Sequence, residues 1–339
     1  MITDARALRP EYIPRDLYHR DGQKDALASW LDPLTHGRSG ENAFIFGPTG
    51  SGKTTLAKYI AKKLAKQTFD VRWGLANCMS DPTPAATLAE IVRETDLGTQ
   101  RPDGTPRAHY IRLLREADSQ ILAIIDEVNA LTDLALLHAL YDVPGVTLVC
   151  ICVDEDSLFS APDINSETRS RLRTFRTMHL DPYSHDELVD ILDYRVEYGL
   201  MRDRVADDAI DYIADLAVGN ARTAIALLRR AAEAASADEC PITSGLVDDV
   251  QEEALADVRD RHIRSLGTHQ RAIFEIIREA GSSGIRATDL HGRYASRVQE
   301  PRGQSMRRRY LNSLERYGLI EQAGTGRGTR YCVLQIEEA

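Results

Sequence analysis

The chain has 339 residues, of which 43% are hydrophobic and 28% are charged. This composition is that of a folded globular protein. It excludes a mainly disordered chain, a collagen-like chain and a small scaffold held together by disulfide bonds. The length allows two or three domains of about 100–200 residues each. The sequence contains no apolar run of about 18 residues and no apolar stretch close to Met1, so we expect no membrane span, no secretory signal and a cytoplasmic location.

Charge is unevenly distributed along the chain, whose formal net charge is −10. From residue 266 to the end there are 12 Arg against 8 Asp and Glu, whereas the preceding residues carry 30 basic and 44 acidic side chains. An acidic body followed by a basic segment indicates a nucleic-acid binder whose contacts are local to that segment. An excess of four positive charges is also small enough to be ordinary scatter.

The first half of the chain alternates short apolar runs with helical patterns. Apolar runs at 43–46, 121–125 and 146–153 predict strands that are buried on both faces, and 71–75 is a plausible second strand. The segments between them predict helices over 23–34, 54–67, 85–94, 109–117 and 131–141. Strands that alternate with helices in this way predict an α/β domain with a parallel sheet.

The second half has two different patterns. After Pro182 the apolar spacing is helical throughout, over 184–198, 207–217, 221–236 and 242–265, and Ser184 with Glu187 is a capping-box signature. From Gly267 we expect three helices, over 269–280, 287–298 and 305–317. Two short strands, 319–323 and 330–335, then flank a Gly-rich turn. Three helices followed by a β-hairpin are typical of a winged helix.

The strongest motif is the segment 47–54, which reads GPTGSGKT and fits the phosphate-loop pattern GxxxxGK[ST]. A strand is predicted before it and a helix after it, as this motif requires. The backbone N–H groups of such a loop point at phosphates, the lysine reaches the β- and γ-phosphates, and the last hydroxyl binds Mg²⁺. The predicted nucleotide-binding residues are Gly47, Pro48, Thr49, Gly50, Ser51, Gly52, Lys53, Thr54 and Thr55.

Two carboxylates, Asp126 and Glu127, follow the apolar run 121–125. An apolar run that ends in Asp-Glu is a weak signal alone, but it lies about 70 residues after a phosphate loop. We therefore expect Asp126 to hold Mg²⁺ together with Thr54. Glu127 is then placed to polarise the water that attacks the nucleotide.

With these motifs the chain resembles an AAA+ ATPase of the archaeal origin-recognition (Orc/Cdc-type) replication initiator family, over essentially its whole length. The segment 12–23, YIPRDLYHRDGQ, resembles the adenine-side segment of that family, and 219–224, GNARTA, resembles its second-sensor motif. The resemblance implies an AAA+ P-loop domain over 1–180, an all-helical lid over 181–265 and a C-terminal winged-helix DNA-binding domain over 266–339. By the same resemblance, Tyr12, Pro14, His19 and Arg20 lie on the adenine side, and Arg222 contacts the γ-phosphate.

The resemblance also implies a role for each of two further segments. Residues 81–107 resemble the family's initiator-specific insertion, which lies against DNA. The segment 165–172, NSETRSRL, resembles the box that carries a finger arginine. Arg169 fits that position, with Arg171 as second candidate, and the finger would act on the nucleotide of a neighbouring subunit. The alternative is a basic cluster that faces solvent or DNA.

One position departs from the family pattern. The family usually has Asn after the strand predicted here at 146–153, and the aligned residue in this chain is Asp154. An amide donates a hydrogen bond to phosphate or water, whereas an ionised carboxylate does not. We therefore expect nucleotide binding with slow hydrolysis, which suits a switch better than a motor.

The predicted winged helix carries candidate DNA contacts. Arg307, Arg308 and Asn312 lie on its third helix, where Arg reads guanine or phosphate and Asn reads adenine. Arg327 lies at the tip of the hairpin and Arg330 on the returning strand, from which an arginine can enter a minor groove. The alternative is a winged helix that binds only protein.

The resemblance predicts a nucleoid-associated initiator that binds ATP or ADP with Mg²⁺ and recognises double-stranded origin DNA. Its expected partners are the replicative helicase, which the family loads, and other copies or paralogues of itself on DNA. One alternative is a RuvB-like branch-migration motor, which would assemble as a ring. The other is an initiator-derived DNA-binding regulator without loading activity.

Overall fold

The computed structural model of the protein describes residues 1–98, 104–160, 164–324 and 329–334. Its central feature is a five-stranded sheet in the order β2-β3-β4-β1-β5, in which every neighbouring pair is parallel. The strands are β1 Ala43–Phe46, β2 Val71–Asn77, β3 Gln120–Asp126, β4 Val146–Ile151 and β5 Arg176–His179. The predicted parallel α/β domain is confirmed.

Helices cover both faces of this sheet. They are α1 Asp21–Leu31, α2 Lys53–Gln67, α3 Pro84–Glu94, α4 Arg107–Arg115, α5 Ala135–Tyr141, α6 Glu155–Phe159 and α7 Ser166–Leu172. Because successive side chains on a strand point to opposite faces, β3 contributes to two cores. Ile121 and Ile125 pack on one face, and Leu122 and Ile124 on the other. Burial on both faces explains why the central strands β1, β3 and β4 are nearly continuous apolar runs, whereas the edge strands β2 and β5 also carry exposed polar residues.

An all-helical body follows the sheet. It consists of α8 His185–Gly199, α9 Asp207–Ala217, α10 Ala221–Ala237 and α11 Ser244–Ser265. Both hydrogen bonds of the predicted capping box between Ser184 and Glu187 are present at the start of α8. Small side chains of α10, including Ala224 and Ala231, are fully buried, so the neighbouring helices approach it closely.

The C-terminal body has the order of elements found in a winged helix. It consists of α12 Thr268–Glu279, β6 Ile285–Arg286, α13 Ala287–Arg297, α14 Gln304–Arg316, β7 Ile320–Ala323 and β8 Arg330–Val333. The strands form an antiparallel sheet in the order β6-β8-β7. β6 was not predicted, because two residues carry too little pattern to indicate a strand.

β5, α6 and α7 were not predicted either, and the remaining differences from the sequence-based elements are local. The helix expected over 131–141 begins only at Ala135, after a 3₁₀ turn at Val128–Ala130, and β4 ends at Ile151 rather than at 153. The expected insertion contains α3, which Thr83 caps, and the start of α4, but its residues 99–103 lie outside the described part of the chain. Among the described helices, none combines the length and apolarity that a membrane crossing requires.

Candidate nucleotide site

The phosphate loop joins β1 to α2, and its glycines are required by close contacts. Gly47 has a φ of 146°, and a Cβ at this position would lie 2.2 Å from the backbone oxygen of Leu180. Gly52 has a φ of 90°, and a Cβ there would lie 2.5 Å from the hydroxyl of Tyr183. α2 begins directly afterwards, at Lys53, so the N–H end of this helix faces the loop.

Lys53 and Thr54 connect the loop to the end of β3. The Lys53 ammonium donates to the backbone oxygens of Gly47 and Pro48, at 2.7 Å each. The Thr54 hydroxyl donates to Oδ2 of Asp126 at 2.8 Å. Burial lowers the pKa of Lys53, and the charges of Glu127 and Asp126 act in the opposite direction. The two carboxylates therefore favour the charged ammonium at this edge of the sheet.

Asp126 is buried at this edge, and Glu127 beside it is partly buried. Burial raises the pKa of each carboxyl, and for Glu127 the adjacent Asp126 raises it further. Glu127 has a φ of 55°, its N–H donates to Asp126, and its Oε2 is buried without a hydrogen-bond partner in the described structure. A hydroxyl and a carboxylate side by side are the oxygen ligands that Mg²⁺ prefers, so Thr54 and Asp126 fit this ion.

The helical body contributes Arg222 from the first turn of α10. Asn220 caps this helix by accepting from the N–H groups of Arg222 and Thr223, at 3.0 and 3.2 Å. The N–H of Ala221 donates to the backbone oxygen of Gly50 at 3.2 Å. The segment predicted to be the second sensor thus lies directly against the phosphate loop, with Arg222 lining the same cavity as Lys53.

These groups surround a cavity of about 380 Å³. Its lining includes the loop, carboxylate and sensor residues Thr49, Gly50, Gly52, Lys53, Thr54, Thr55, Asp126, Glu127 and Arg222. It also includes the apolar side chains of Pro10, Ile13, Pro14, Leu17, Leu75, Ile191, Ile225 and Val258, together with the charged Glu11, Asp16, Lys58, Arg195 and Arg261. A cavity lined by both cationic and apolar groups fits a nucleotide, which carries phosphates and a base.

Three predicted loop residues, Gly47, Pro48 and Ser51, do not line the cavity themselves. Three of the four predicted adenine-side residues, Tyr12, His19 and Arg20, also lie outside it, and only Pro14 lines it. Arg20 stacks on Tyr183 at 3.9 Å and donates to the backbone oxygens of Asp181 and Ser51. It therefore supports the phosphate loop through the backbone of Ser51, outside the cavity. His19 contacts Asp190 on α8 at 2.7 Å.

Arg195 of α8 was missed by the sequence analysis. It is 4% exposed, and it donates to the backbone oxygens of Ala7, Arg9 and Tyr12, at 2.6, 3.3 and 3.3 Å. Its guanidinium lies 4.9 Å from the ring of Tyr12, and burial lowers its pKa to about 10. Arg195 thus holds the N-terminal segment on the helical body. No local motif marks it, because its partners lie more than 180 residues away.

Two other residues of the cavity, His262 and Tyr317, were also missed. His262 lies near the end of α11, and Tyr317 directly follows α14. Their rings are 4.6 Å apart, and Nε2 of His262 is 2.7 Å from Nη1 of Arg222. Burial, together with the charge of Arg222, lowers the pKa of His262 to about 4. The helical body and the C-terminal body therefore meet at the nucleotide cavity.

The structure does not bring Asp154 to the cavity. This residue is exposed beyond the end of β4, and its backbone oxygen accepts from the thiol of Cys152 at 3.5 Å. The same thiol lies 3.5 Å from Oδ1 of Asn129. This exposed position does not support the prediction that the carboxylate of Asp154 lies near the γ-phosphate and repels it.

The candidate finger arginines lie away from the cavity of their own chain. Arg169 is half-buried and donates to the backbone oxygen of Ile164 at 3.4 Å. Arg171 is exposed, with its guanidinium 5.4 Å from the ring of Tyr141. A residue that acts on a neighbouring subunit need not line its own site, so the finger role stays a prediction.

The candidate DNA contacts fall into two groups. Arg308 and Asn312 are exposed on α14 and line a cleft of about 450 Å³ beside Asn129 and Leu158 of the first domain. By contrast, Arg307 donates to the backbone oxygen of Arg302 at 3.0 Å. Arg330 donates to that of Ser283 at 2.7 Å. Arg327 lies outside the described residues.

A phosphate loop on a parallel sheet, paired carboxylates after β3 and an arginine on a helical lid together define an AAA+ ATPase. In agreement, a family described as "AAA domain" matches residues 37–155, and one described as "Cdc6 AAA+ ATPase-type lid domain" matches residues 189–252. ORC1-type DNA replication protein 9 of Halobacterium salinarum is 33% identical, over 98% of this chain and 94% of its own. ORC1-type DNA replication protein 1 of the same organism is 35% identical, over 90% and 99%. The chain therefore belongs to the family of ORC1-type DNA replication proteins.

Solved structures show the same fold. The Aeropyrum pernix ORC2 protein in its ADPNP-ADP complexes is 25% identical with a TM-score of 0.66, and the A. pernix ORC1 protein in complex with DNA is 22% identical with a TM-score of 0.71. Each comparison covers 98% of this chain and 94% of the other. The Thermotoga maritima RuvB branch-migration motor is 21% identical with a TM-score of 0.51, over 96% and 95%. The fold of the motor alternative is thus related but less similar.

Proposed function

We propose that this protein is a replication initiator that binds Mg²⁺–ATP between its AAA+ domain and its lid and that binds origin DNA. The observation that carries the proposal is the convergence of Lys53, Thr54, Asp126, Glu127 and Arg222 on one cavity. Family membership and the nucleotide complexes of the related A. pernix ORC2 protein support nucleotide binding.

Each group at the cavity has a defined part in this proposal. Thr54 and Asp126 would hold Mg²⁺, which neutralises phosphate charge when bound. Lys53 would exchange its bonds to the loop oxygens for bonds to phosphate. Glu127, with one carboxylate oxygen unpartnered, would accept a proton from the attacking water. Arg222 would donate to the γ-phosphate, so the lid would report which nucleotide is bound. We propose slow hydrolysis that resets this switch.

Loss of the loop lysine tests the nucleotide site. Lys53→Ala should lower ATP affinity at least tenfold, measured by equilibrium binding of a fluorescent ATP analogue. Lys66→Ala is the matched control, because Lys66 is exposed in the last turn of the same helix. Equal affinities of the two variants for ATP would contradict the assignment of the phosphate loop.

On the DNA side, we propose that α14 and the insertion 81–107 grip duplex DNA, and that the bound protein assembles with further copies or paralogues and recruits the replicative helicase. The exposure of Arg308 and Asn312 supports this, because solvent-accessible side chains of these types can contact base edges or phosphates. The A. pernix ORC1 relative with the same fold was solved in complex with DNA.

Origin recognition is tested by measuring which fragments of sheared genomic DNA the protein binds, with ATP and at matched physiological salt. Enrichment at one or a few loci is the expected result. Diffuse binding that depends strongly on salt would contradict origin recognition and indicate non-specific phosphate contacts. Preferential binding of branched DNA, together with a stable ATP-dependent ring on sizing, would favour the RuvB-like motor instead.

A further inference from the structure

The winged helix contributes a side chain to the nucleotide cavity. Tyr317 is 8% exposed and lines the cavity together with the carboxylate of Glu127. Burial and this carboxylate together raise the pKa of Tyr317 well above its ordinary value, so the hydroxyl keeps its proton as a donor. The residue placed to activate water therefore faces a donor from a domain more than 180 residues further along the chain.

A second contact involves Arg222, the predicted sensor arginine. Nη1 of Arg222 lies 2.7 Å from Nε2 of His262. Arginine only donates, so Nε2 must accept, and the ring is neutral with its proton on Nδ1. The same ring packs on Tyr317 at 4.6 Å. One N–H group that Arg222 would direct at a γ-phosphate is thus engaged by His262, whose ring is held by the winged helix.

Several contacts fix the winged helix in this position. The N–H of Gly267 donates to the backbone oxygen of Met79 at 3.1 Å. The sulfur of Met79 lies 3.2 Å from Nε2 of Gln270 and 3.6 Å from Oγ of Ser313. Arg309 of α14 donates to the backbone oxygen of Leu131 at 3.3 Å. Because α14 leads directly into Tyr317, the place of this ring depends on how the domain is docked.

We propose that His262 and Tyr317 form a latch through which the docked winged helix holds Arg222 and Glu127 in a resting arrangement. Displacement of the winged helix, for example by DNA that engages α14, withdraws Tyr317 from Glu127 and from the ring of His262, which is then free to move away from Arg222. The latch deepens the proposed function and rests on it, since it presumes that nucleotide binds at this cavity. Tyr317 and His262 are positioning residues in this scheme, because they act through Glu127 and Arg222.

Removal of one hydroxyl tests the Tyr317 contact. Tyr317→Phe keeps the ring on His262 but frees the carboxylate, so kcat for ATP hydrolysis should rise about fivefold without added DNA, with KM unchanged. Tyr310→Phe is the matched control. Tyr310 lies on α14, and its hydroxyl is buried without a partner in the described structure, so this change should leave kcat unaltered. A Tyr317→Phe rate equal to or below that of the wild type would overturn the latch.

Removal of the ring nitrogen tests the His262 contact without turnover. His262→Phe keeps a ring against Tyr317 but frees Arg222, so affinity for ADPNP relative to ADP should rise about fivefold in equilibrium binding. In an Arg222→Ala background the same change should have no effect, because the competing group is gone. An unchanged ratio in the wild-type background, or an equal change in both backgrounds, would overturn the latch.

Measurements on the wild-type protein distinguish failure of the proposed function from failure of the latch. Failure of the wild type to bind either nucleotide would overturn the proposed function and the latch with it. Wild-type binding that discriminates ADPNP from ADP, with no change in the His262 and Tyr317 variants, would overturn only the latch.

Discussion

The side-chain oxygen of Asn220 occupies the space that a Cβ on Gly50 would need. A Cβ built on Gly50 would lie 1.9 Å from this oxygen, and Gly50 has a φ of 83°. The same oxygen caps α10 and so fixes the turn that carries Arg222. The glycine of the phosphate loop is therefore a docking point for the lid, as well as a place where the backbone turns.

Gly50→Ala should push the lid away from the phosphate loop. The methyl group cannot coexist with Asn220 in its present position, so we expect ADP affinity to fall at least tenfold, measured by calorimetry. Gly37→Ala is the control, because Gly37 also has a positive φ, 68°, but nothing lies within 4 Å of its Cβ position. Equal ADP affinity in the two variants would show that the clash is absorbed without moving the lid.

Arg195→Met should detach the N-terminal segment from the lid. Met fills much of the volume of Arg but leaves three backbone oxygens without their donor, so the free energy of unfolding should fall by about 2–4 kcal/mol. Urea unfolding measures this loss. Arg15→Met should cost under about 0.5 kcal/mol, because Arg15 is exposed and lies 6.0 Å from the ring of Tyr198. Similar losses in both variants would mean that the three bonds contribute little.

Val218→Asn should stabilise the protein. Val218 is 84% exposed and has a φ of 45°, a region that β-branched residues avoid and Asn tolerates. The side chain loses little burial, so relief of backbone strain should raise the free energy of unfolding by about 1 kcal/mol. Urea unfolding at neutral pH measures the gain. A loss of stability would indicate that this valine side chain makes contacts worth more than the strain.

His262 should make stability depend on pH. Its pKa in the folded protein is about 4, whereas it is about 6.5 in an unfolded chain. Between these values the unfolded chain binds the extra proton, so the free energy of unfolding falls as the pH falls. His262→Gln can still accept from Arg222 but does not titrate. The wild type should therefore lose up to about 2 kcal/mol more than this variant between pH 7 and pH 5. Parallel losses in urea unfolding would contradict the buried neutral ring.

The features that the sequence predicted are those with local signals. The loop at 47–54 and the paired carboxylates after β3 are contiguous, and their spacing alone indicates their chemistry. The sequence analysis did not predict Arg195, His262 and Tyr317. Each of them contacts a residue in another domain, and nothing beside them in the chain marks that contact. The role expected for Asp154 stays a prediction. Its side chain is exposed beyond the end of β4 and does not line the cavity, and the sequence alone does not show which way a residue outside a strand points.

The 22 residues of α11 run without interruption from the lid almost to Gly267. At 1.5 Å per residue, this helix is a lever about 33 Å long. A lid rotation of about 10° at one end would carry the other end through about 6 Å. His262, near one end of this helix, lies at the nucleotide cavity, so a rotation that began there at a single phosphate would be largest at the opposite end, near Ser244. A small change at the phosphate would thus become a movement of several ångströms at the far end of the lid.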